Sequence, residues 1–238
     1  MSGRPGRLSR SPGVTAERDL GMLGAMRPFV LAVTAAALGA FVAPSPASAA
    51  FVTHAFVTAA EQTALETHAE QFADPQVFVR QDGAAAVTGA QGIARAAGLR
   101  PGLMTDDPVT PAFTAQGKPL GFTLGAWFGA RATLVYDPAS AKPQIAMGFA
   151  GLSPSGIYSV FERRGGAGAA FAPLDATGAR TTFTADAQGN ATIQLTLGAP
   201  LLPGNTIVVV YHSDGTAHGT DPGQPGLTSH AQLMYRLQ

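Results

Sequence analysis

The sequence predicts an all-β protein, an antiparallel β-sandwich of about seven or eight strands preceded by a short N-terminal helix. From residue 122 onward, short segments alternate apolar and polar residues, and Gly, Pro, Asp and Asn separate them. No stretch of about ten or more helical residues lies between these segments, which argues against a parallel sheet with crossover helices. The one pattern with a helical period lies earlier, at 59–72.

The first 49 residues predict a leader that ends in a signal peptide, at about 26–49. Arg27 precedes a sixteen-residue apolar stretch, 28–43, and the small residues of 47–49 follow it. A positive flank, an apolar run and an A-x-A site are the three parts of a secretory signal. The apolar run is shorter than the roughly 20 residues that span a bilayer. We therefore expect cleavage after Ala49 and a secreted or periplasmic protein, with no membrane attachment after cleavage.

The 189 residues that remain contain no cysteine. Export would permit disulfides, so their absence means that the domain depends on packing alone. Within 50–238, ten Lys and Arg stand against thirteen Asp and Glu, a net charge near −3. A weakly acidic chain without a basic cluster is a poor partner for nucleic acid or an anionic membrane. The expected partner is an unidentified protein, polymer or envelope component.

Residues 50–100 are predicted to form a helical and Gly/Ala-rich segment. Within the helix predicted at 59–72, Leu65, Ala69 and Phe72 recur on one face. Asp74-Pro75 predicts the stop, because the residue before proline avoids helical backbone angles. A short strand is expected at 76–80, whereas 83–98 contain few large apolar residues.

Residues 101–238 are predicted to form the sandwich. The Pro-rich start, 101–119, predicts an extended loop or an irregular first strand. Alternation then predicts strands at 122–129, 132–136, 144–149, 157–162, 181–185, 191–197, 207–211 and 231–237. The segment 186–190 reads as a hairpin connection. The unbroken apolar run 207–211 predicts a central strand buried on both sides, and Trp127 is expected in the core.

Three motifs follow one another in residues 145–238. They are the turn GLSPSGIY at 151–158, the turn DAQGN at 186–190, and the strand end VVYH at 209–212, which leads to a glycine-rich loop and QL at 232–233. Their order is similar to that of secreted chordin-type (CHRD) domains, although the family's H-x-G pair and G-E-I-R-G ending are missing. The resemblance implies an immunoglobulin-like extracellular sandwich and carries over no catalytic residues.

Three of the five histidines lie on the last connection of the chain, together with aspartates. His212 and Asp214 are two residues apart, so an extended chain places both on one face, and a hairpin is expected to bring His230 beside His212. Imidazoles and a carboxylate suit zinc or copper. We therefore predict a metal site at His212, Asp214, His218 and His230. The alternative is that His212 and His230 are interstrand partners in a hydrogen-bond network that anchors the loop, with Asp214 and Asp221 in Asx-turns.

Enzyme chemistry has less support in the sequence. There is no G-x-S-x-G motif, and Ser213 and Ser229 are next to histidines that should face the opposite way on a strand. Glu162 is the only glutamate beyond residue 70, which leaves no candidate pair of acids for glycoside cleavage. The main hypothesis is an exported, non-enzymatic β-sandwich module of unknown ligand, without a cofactor. A zinc- or copper-binding sandwich is the alternative, and a small hydrolase with His212 or His230 as base is a third option.

Overall fold

A computed structural model describes residues 51–68, 72–165 and 170–238, so the predicted signal peptide lies outside the described residues. The described chain is mostly β, and its paired strands are antiparallel. The α-helices are α1 Ala59–Thr67 and α2 Leu124–Gly129. The strands are β1 Val52–Ala55, β2 Val57–Thr58, β3 Ala73–Arg80, β4 Val87–Thr88, β5 Ala94–Arg95, β6 Leu99–Leu103, β7 Pro111–Phe113, β8 Pro119–Thr123, β9 Arg131–Tyr136, β10 Gln144–Ala150, β11 Ile157–Arg163, β12 Phe171–Pro173, β13 Thr182–Thr184, β14 Ala191–Thr196, β15 Thr206–His212 and β16 Ser229–Arg236.

These strands form three larger sheets and one small pair, β4 with β5. Sheet A has the order β1-β9-β10-β14. Sheet B has the order β12-β11-β15-β16-β2, and β13 also pairs with β11. Sheet C has the order β6-β3-β7-β8. The predicted antiparallel β architecture is therefore confirmed.

Sheets A and B share one hydrophobic core. Leu134 and Met147 of sheet A and Val160, Val209 and Leu233 of sheet B are fully buried in it. They occupy alternate strand positions, because successive side chains of a strand point to opposite faces. Each contributes roughly 1.5–3 kcal/mol by leaving water. The two-residue alternation of the sequence thus gives each sheet an apolar face, and the two faces are buried in the same core.

Most of the predicted strands of the main domain are confirmed, among them 132–136, 144–149, 157–162, 191–197 and 207–211. The last of these is a central strand, as predicted: β15 lies between β11 and β16. Its residues Ile207 to Val210 are at most 3% exposed. Apolar side chains cover both faces, which is why the sequence shows no alternation there.

The start of the described chain belongs to both sheets. β1 pairs with β9 at one edge of sheet A, and β2 pairs with β16 at one edge of sheet B. The predicted N-terminal segment therefore adds an edge strand to each sheet.

The predicted N-terminal helix is confirmed, but its predicted buried face is wrong. α1 begins with a capping box between Thr58 and Glu61 and ends at His68, which has left-handed backbone angles. Leu65 is 63% exposed. The buried side is formed by small residues such as Ala60 and Ala64, together with Gln62. Small side chains allow the helix to approach β3 and β16 closely.

The predicted helix stop at Asp74-Pro75 instead lies inside β3. Asp74 is fully buried and its carboxylate accepts three hydrogen bonds, from Gln76 N (2.8 Å), Val77 N (3.0 Å) and Trp127 Nε1 (2.7 Å). These donors satisfy a carboxylate that burial would otherwise leave without water. β3 also pairs with β6, which spans the predicted boundary between 50–100 and 101–238.

The strand predicted at 122–129 is wrong. The chain leaves β8 at Thr123 and turns into the short helix α2, where the Thr123 side chain accepts a hydrogen bond from Ala126 N at 3.4 Å. Trp127, 2% exposed, then points inward to Asp74. The burial and hydrogen bond of the indole outweigh the local alternation of apolar residues. Trp127 is in the interior, as expected.

The hairpin connection predicted at 186–190 is also wrong. β13 pairs with β11 in sheet B, whereas β14 pairs with β10 in sheet A. The Asp186 carboxylate accepts hydrogen bonds from Gln188 N and Asn190 N, so the segment is a turn with the expected residues. It carries the chain from one sheet to the other.

No helix of the described segments has the length and apolar content needed to cross a membrane.

Replacing Trp127 with Phe should lower the free energy of unfolding by about 1–3 kcal/mol, because a buried carboxylate oxygen loses its donor. Urea denaturation of the two proteins measures the change. Phe122→Leu is the control, since Phe122 stacks on Trp127 at 5.1 Å without bonding to Asp74. Equal losses in both variants would show that stacking, and not the indole–carboxylate bond, stabilises this region.

Candidate functional site

The predicted site residues lie on one hairpin. β15 ends at His212, and His230 is the second residue of β16. Residues 213–228, here called the histidine loop, connect the two strands. The prediction of a final hairpin with histidines at its loop end is therefore confirmed.

The register of this hairpin separates His230 from the other predicted ligands. Val209 pairs with Leu233, but Val210 pairs with Ala231, so Gln232 is an extra residue in β16. Beyond this bulge, His230 lies opposite Tyr211 rather than opposite His212. A shift of one residue moves a side chain to the other face of the sheet. The expected position of His230 beside His212 is wrong for this reason.

His212, Asp214 and His218 remain together on one side of the hairpin. The rings of His212 and His218 have centroids 5.2 Å apart. His218 Nε2 lies 3.0 Å from Asp214 Oδ2, and His212 Nε2 lies 2.9 Å from Ser159 Oγ. His212 is 1% exposed, and its Nδ1 has no hydrogen-bond partner among the described residues.

His230 binds the other side of the fold. It is fully buried, with Nδ1 2.8 Å from Gln76 O and Nε2 3.0 Å from Ser213 Oγ. A carbonyl oxygen only accepts, so we assign the proton of the neutral ring to Nδ1. Nε2 then accepts a hydrogen bond from the Ser213 hydroxyl, which also lies 3.1 Å from Leu227 O.

Burial keeps both strand histidines neutral. Desolvation is the main cause that lowers the pKa of His230 to about 4. Desolvation also lowers the pKa of His212 to about 4, and the neighbouring His218 contributes in the same direction. At neutral pH both rings therefore present one N–H donor and one lone pair.

Sequence reasoning missed the residues that hold His230 in place. Gln76 contributes its backbone carbonyl to His230, and its side-chain Oε1 accepts a hydrogen bond from Ala231 N at 2.7 Å. Gln232 Nε2 donates to Trp127 O at 2.9 Å. Gln76 is 154 positions from His230 in the chain, so no local pattern could indicate the pairing.

The Asx-turns of the predicted loop-anchoring network are present, but His212 and His230 are not interstrand partners, since His212 pairs with Ser229 and His230 with Tyr211. Asp214 Oδ1 accepts from Thr216 N at 3.2 Å, and Asp221 Oδ1 accepts from Gly223 N at 2.8 Å, as in Asx-turns. Within 51–68, 72–165 and 170–238, no group of three or more His, Cys, Asp or Glu side chains is arranged to hold a metal ion. The predicted four-residue metal site stays a prediction.

Ser213 and His230 have the spacing of a nucleophile and a base. Ser213 is adjacent to His212 in the chain, but it lies on the Tyr211 face and therefore reaches His230 across the loop. The Gln76 carbonyl holds the other nitrogen of the ring. Chemically, the pair can anchor the loop or transfer a proton.

Comparison with protein-family models, with curated proteins and with solved structures finds no match to this chain.

Acidification from pH 6 to 4.5 should destabilise the protein. Each histidine is protonated in the unfolded chain below pH ~6.5 and stays neutral in the folded chain down to about 4. Its stabilising contribution is thus present above the unfolded pKa and lost as pH falls. Asp74 has the opposite effect on stability. Burial raises its pKa to about 6, so the folded chain takes up its proton before the unfolded chain does. With two histidines that destabilise the fold on acidification and one aspartate that stabilises it, the free energy of unfolding should fall by about 1.4 kcal/mol per pH unit.

Replacing Asp74 with Asn removes the opposing contribution. The free energy of unfolding should then fall by about 2.7 kcal/mol per pH unit between pH 6 and 4.5. Urea denaturation at several pH values measures both slopes. A flat profile for Asp74→Asn would show that the two histidines take up protons equally in the folded and unfolded states.

Replacing Gly178 with Ala should displace the histidine loop. A Cβ at Gly178 would lie 2.2 Å from Gly219 O, at a φ of +78°, so the loop backbone must move. Gly215→Ala is the matched control, because Gly215 has a φ of +72° but no heavy atom within 4 Å of the added Cβ. Hydrogen exchange of the loop amides should rise more for Gly178→Ala. Equal exchange in both variants would contradict this contact.

Proposed function

We propose that this chain is an exported β-sandwich module, immunoglobulin-like in architecture, that binds a protein, polymer or envelope component through the histidine loop. The signal-peptide pattern at about 26–49 supports export to the periplasm or the exterior. The core shared by sheets A and B supports the sandwich. The order of motifs in 145–238 supports the resemblance to chordin-type domains.

One observation carries the binding role: the histidine loop has an exposed tip on a fixed base. At the base, Ser213 N donates to Thr228 O at 2.9 Å, and the Ser213 hydroxyl contacts Leu227 O and His230. At the tip, residues 214–217 are exposed. Loops positioned by a rigid scaffold are common binding elements, because little conformational entropy remains to be lost when the partner binds.

The Ser213–His230 pair favours anchoring over catalysis. A general base works best with a pKa near the operating pH, and burial lowers the pKa of His230 to about 4. The ring is fully buried. The contact of Ser213 with Leu227 O also gives the serine proton a second acceptor, which stabilises the loop base. We therefore keep the non-enzymatic hypothesis.

Site-specific photo-crosslinking tests the binding role. The full chain is expressed in an exporting host with benzoylphenylalanine at position 216 in the loop, and the control carries it at position 196. Thr216 and Thr196 are both exposed, but Thr196 lies on β14 in sheet A. We expect one discrete covalent adduct from position 216, competed by excess unlabelled protein, and none from position 196.

Two results would contradict the proposal. Equal adducts from positions 216 and 196 would show that the loop is not the binding element. Turnover of p-nitrophenyl acetate, a peptide or a glycoside that falls at least about a hundredfold in Ser213→Ala would indicate an enzyme instead.

A further inference from the structure

His212 and His218 each have one ring nitrogen held by an oxygen atom. Asp214 is a carboxylate and only accepts, so His218 donates from Nε2, and in the uncharged form that binds a metal its lone pair lies on Nδ1. For His212, an unpartnered lone pair is tolerated in the interior better than an unpartnered N–H. We therefore assign its proton to Nε2, which donates to Ser159 Oγ, and its lone pair to the buried Nδ1.

This pairing is the usual environment of metal-binding histidines. In such sites the ring nitrogen that does not bind the metal donates to a carboxylate or another oxygen, which fixes the tautomer and the ring orientation. Asp214 does this for His218, and Ser159 does it for His212. Ser159 is held in turn by Thr182, with 2.9 Å between the hydroxyl oxygens.

The separation of the two rings fits one shared ion. With metal–nitrogen bonds of about 2.1 Å and roughly 1.2 Å from nitrogen to ring centre, two imidazoles on a tetrahedral ion have centroids about 5.4 Å apart. The observed value for His212 and His218 is 5.2 Å.

We propose that His212 Nδ1 and His218 Nδ1 are the two protein ligands of one late first-row divalent ion, zinc or copper. Asp214 and Ser159 orient the rings from behind. The site uses two of the four ligands expected from the sequence and leaves His230 out, because the bulge at Gln232 turns it to the other face.

The inference deepens the proposed function and rests on it, since it names the chemistry that the histidine loop offers. Two protein ligands leave coordination positions for water or for a donor atom of the partner. His218 is half-buried on the loop, close to the exposed residues 214–217. Because His212 Nδ1 is itself buried, a ligand side chain or polymer group would complete the coordination of the ion from the His218 side.

Metal titration of the purified, exported chain tests this site without any partner. After treatment with EDTA, the protein is titrated calorimetrically with Zn²⁺, Cu²⁺ and, as a negative control, Mg²⁺. We expect one equivalent of Zn²⁺ or Cu²⁺, with Cu²⁺ bound more tightly, as imidazole ligands prefer. His218→Ala should weaken binding at least tenfold, and Asp214→Asn by about 10–100-fold, the usual effect of losing an orienting partner.

His68→Ala is the matched control, because His68 is an exposed histidine at the end of α1, and it should bind metal like the original chain. The Cu²⁺ electron paramagnetic resonance spectrum gives a second readout, with two nitrogen ligands in the original chain and one in His218→Ala. Far-ultraviolet circular dichroism checks that the variants are folded.

Absence of saturable binding, or binding that His218→Ala leaves unchanged, would overturn the metal site. If metal binding fails while position 216 still forms its adduct, the metal site is wrong and the binding loop stands. If metal binds at His218 but position 216 forms no adduct, the proposed partner binding fails instead.

Discussion

The buried carboxylate of Asp74 connects parts of the chain that are far apart in sequence. It accepts hydrogen bonds from the start of β3 and from the indole of Trp127 in α2. The same bonds fix Gln76, whose backbone and side chain bind His230 and Ala231 at the start of β16. Sheet C, α2 and the histidine loop are therefore positioned by one ionisable group. Because that group is buried, each hydrogen bond donated to it contributes more to stability than a contact on the surface would.

A single extra residue decides which histidines can meet. If β15 and β16 kept the register of the Val209–Leu233 pair, His212 would lie opposite His230 on one face of sheet B. The bulge at Gln232 shifts the pairing by one residue and divides the histidines between two environments. His230 becomes part of the interior network with Gln76 and Ser213, whereas His212 faces His218 at the base of the loop.

Much of the β architecture could be predicted, because half-buried strands such as 144–149 and 191–197 carry a two-residue alternation. Prediction failed where a distant contact decided the outcome. Trp127 turns 124–129 into a helix by reaching Asp74, and small alanines rather than Leu65 form the buried face of α1. In the candidate site, the residue types and the hairpin were predictable. The bulge and the Gln76 contacts were not, because both faces of β16 are buried from Ser229 to Tyr235, which leaves no exposed face to reveal a shift in register.

The edge strands β1 and β2 have a consequence for biogenesis. The cleavage proposed after Ala49 would leave only Ala50 and Phe51 ahead of β1. In a chain exported as proposed, β1 and β2, which cover the free edges of β9 and β16, would follow the export signal immediately and leave the translocation channel first. They must wait for strands about 80 and 175 positions later before they can pair. Until then β1 and β2 have no partner strands, and exposed strand edges are prone to intermolecular pairing. Under the proposed export, chaperone protection would therefore matter most for the earliest part of this chain.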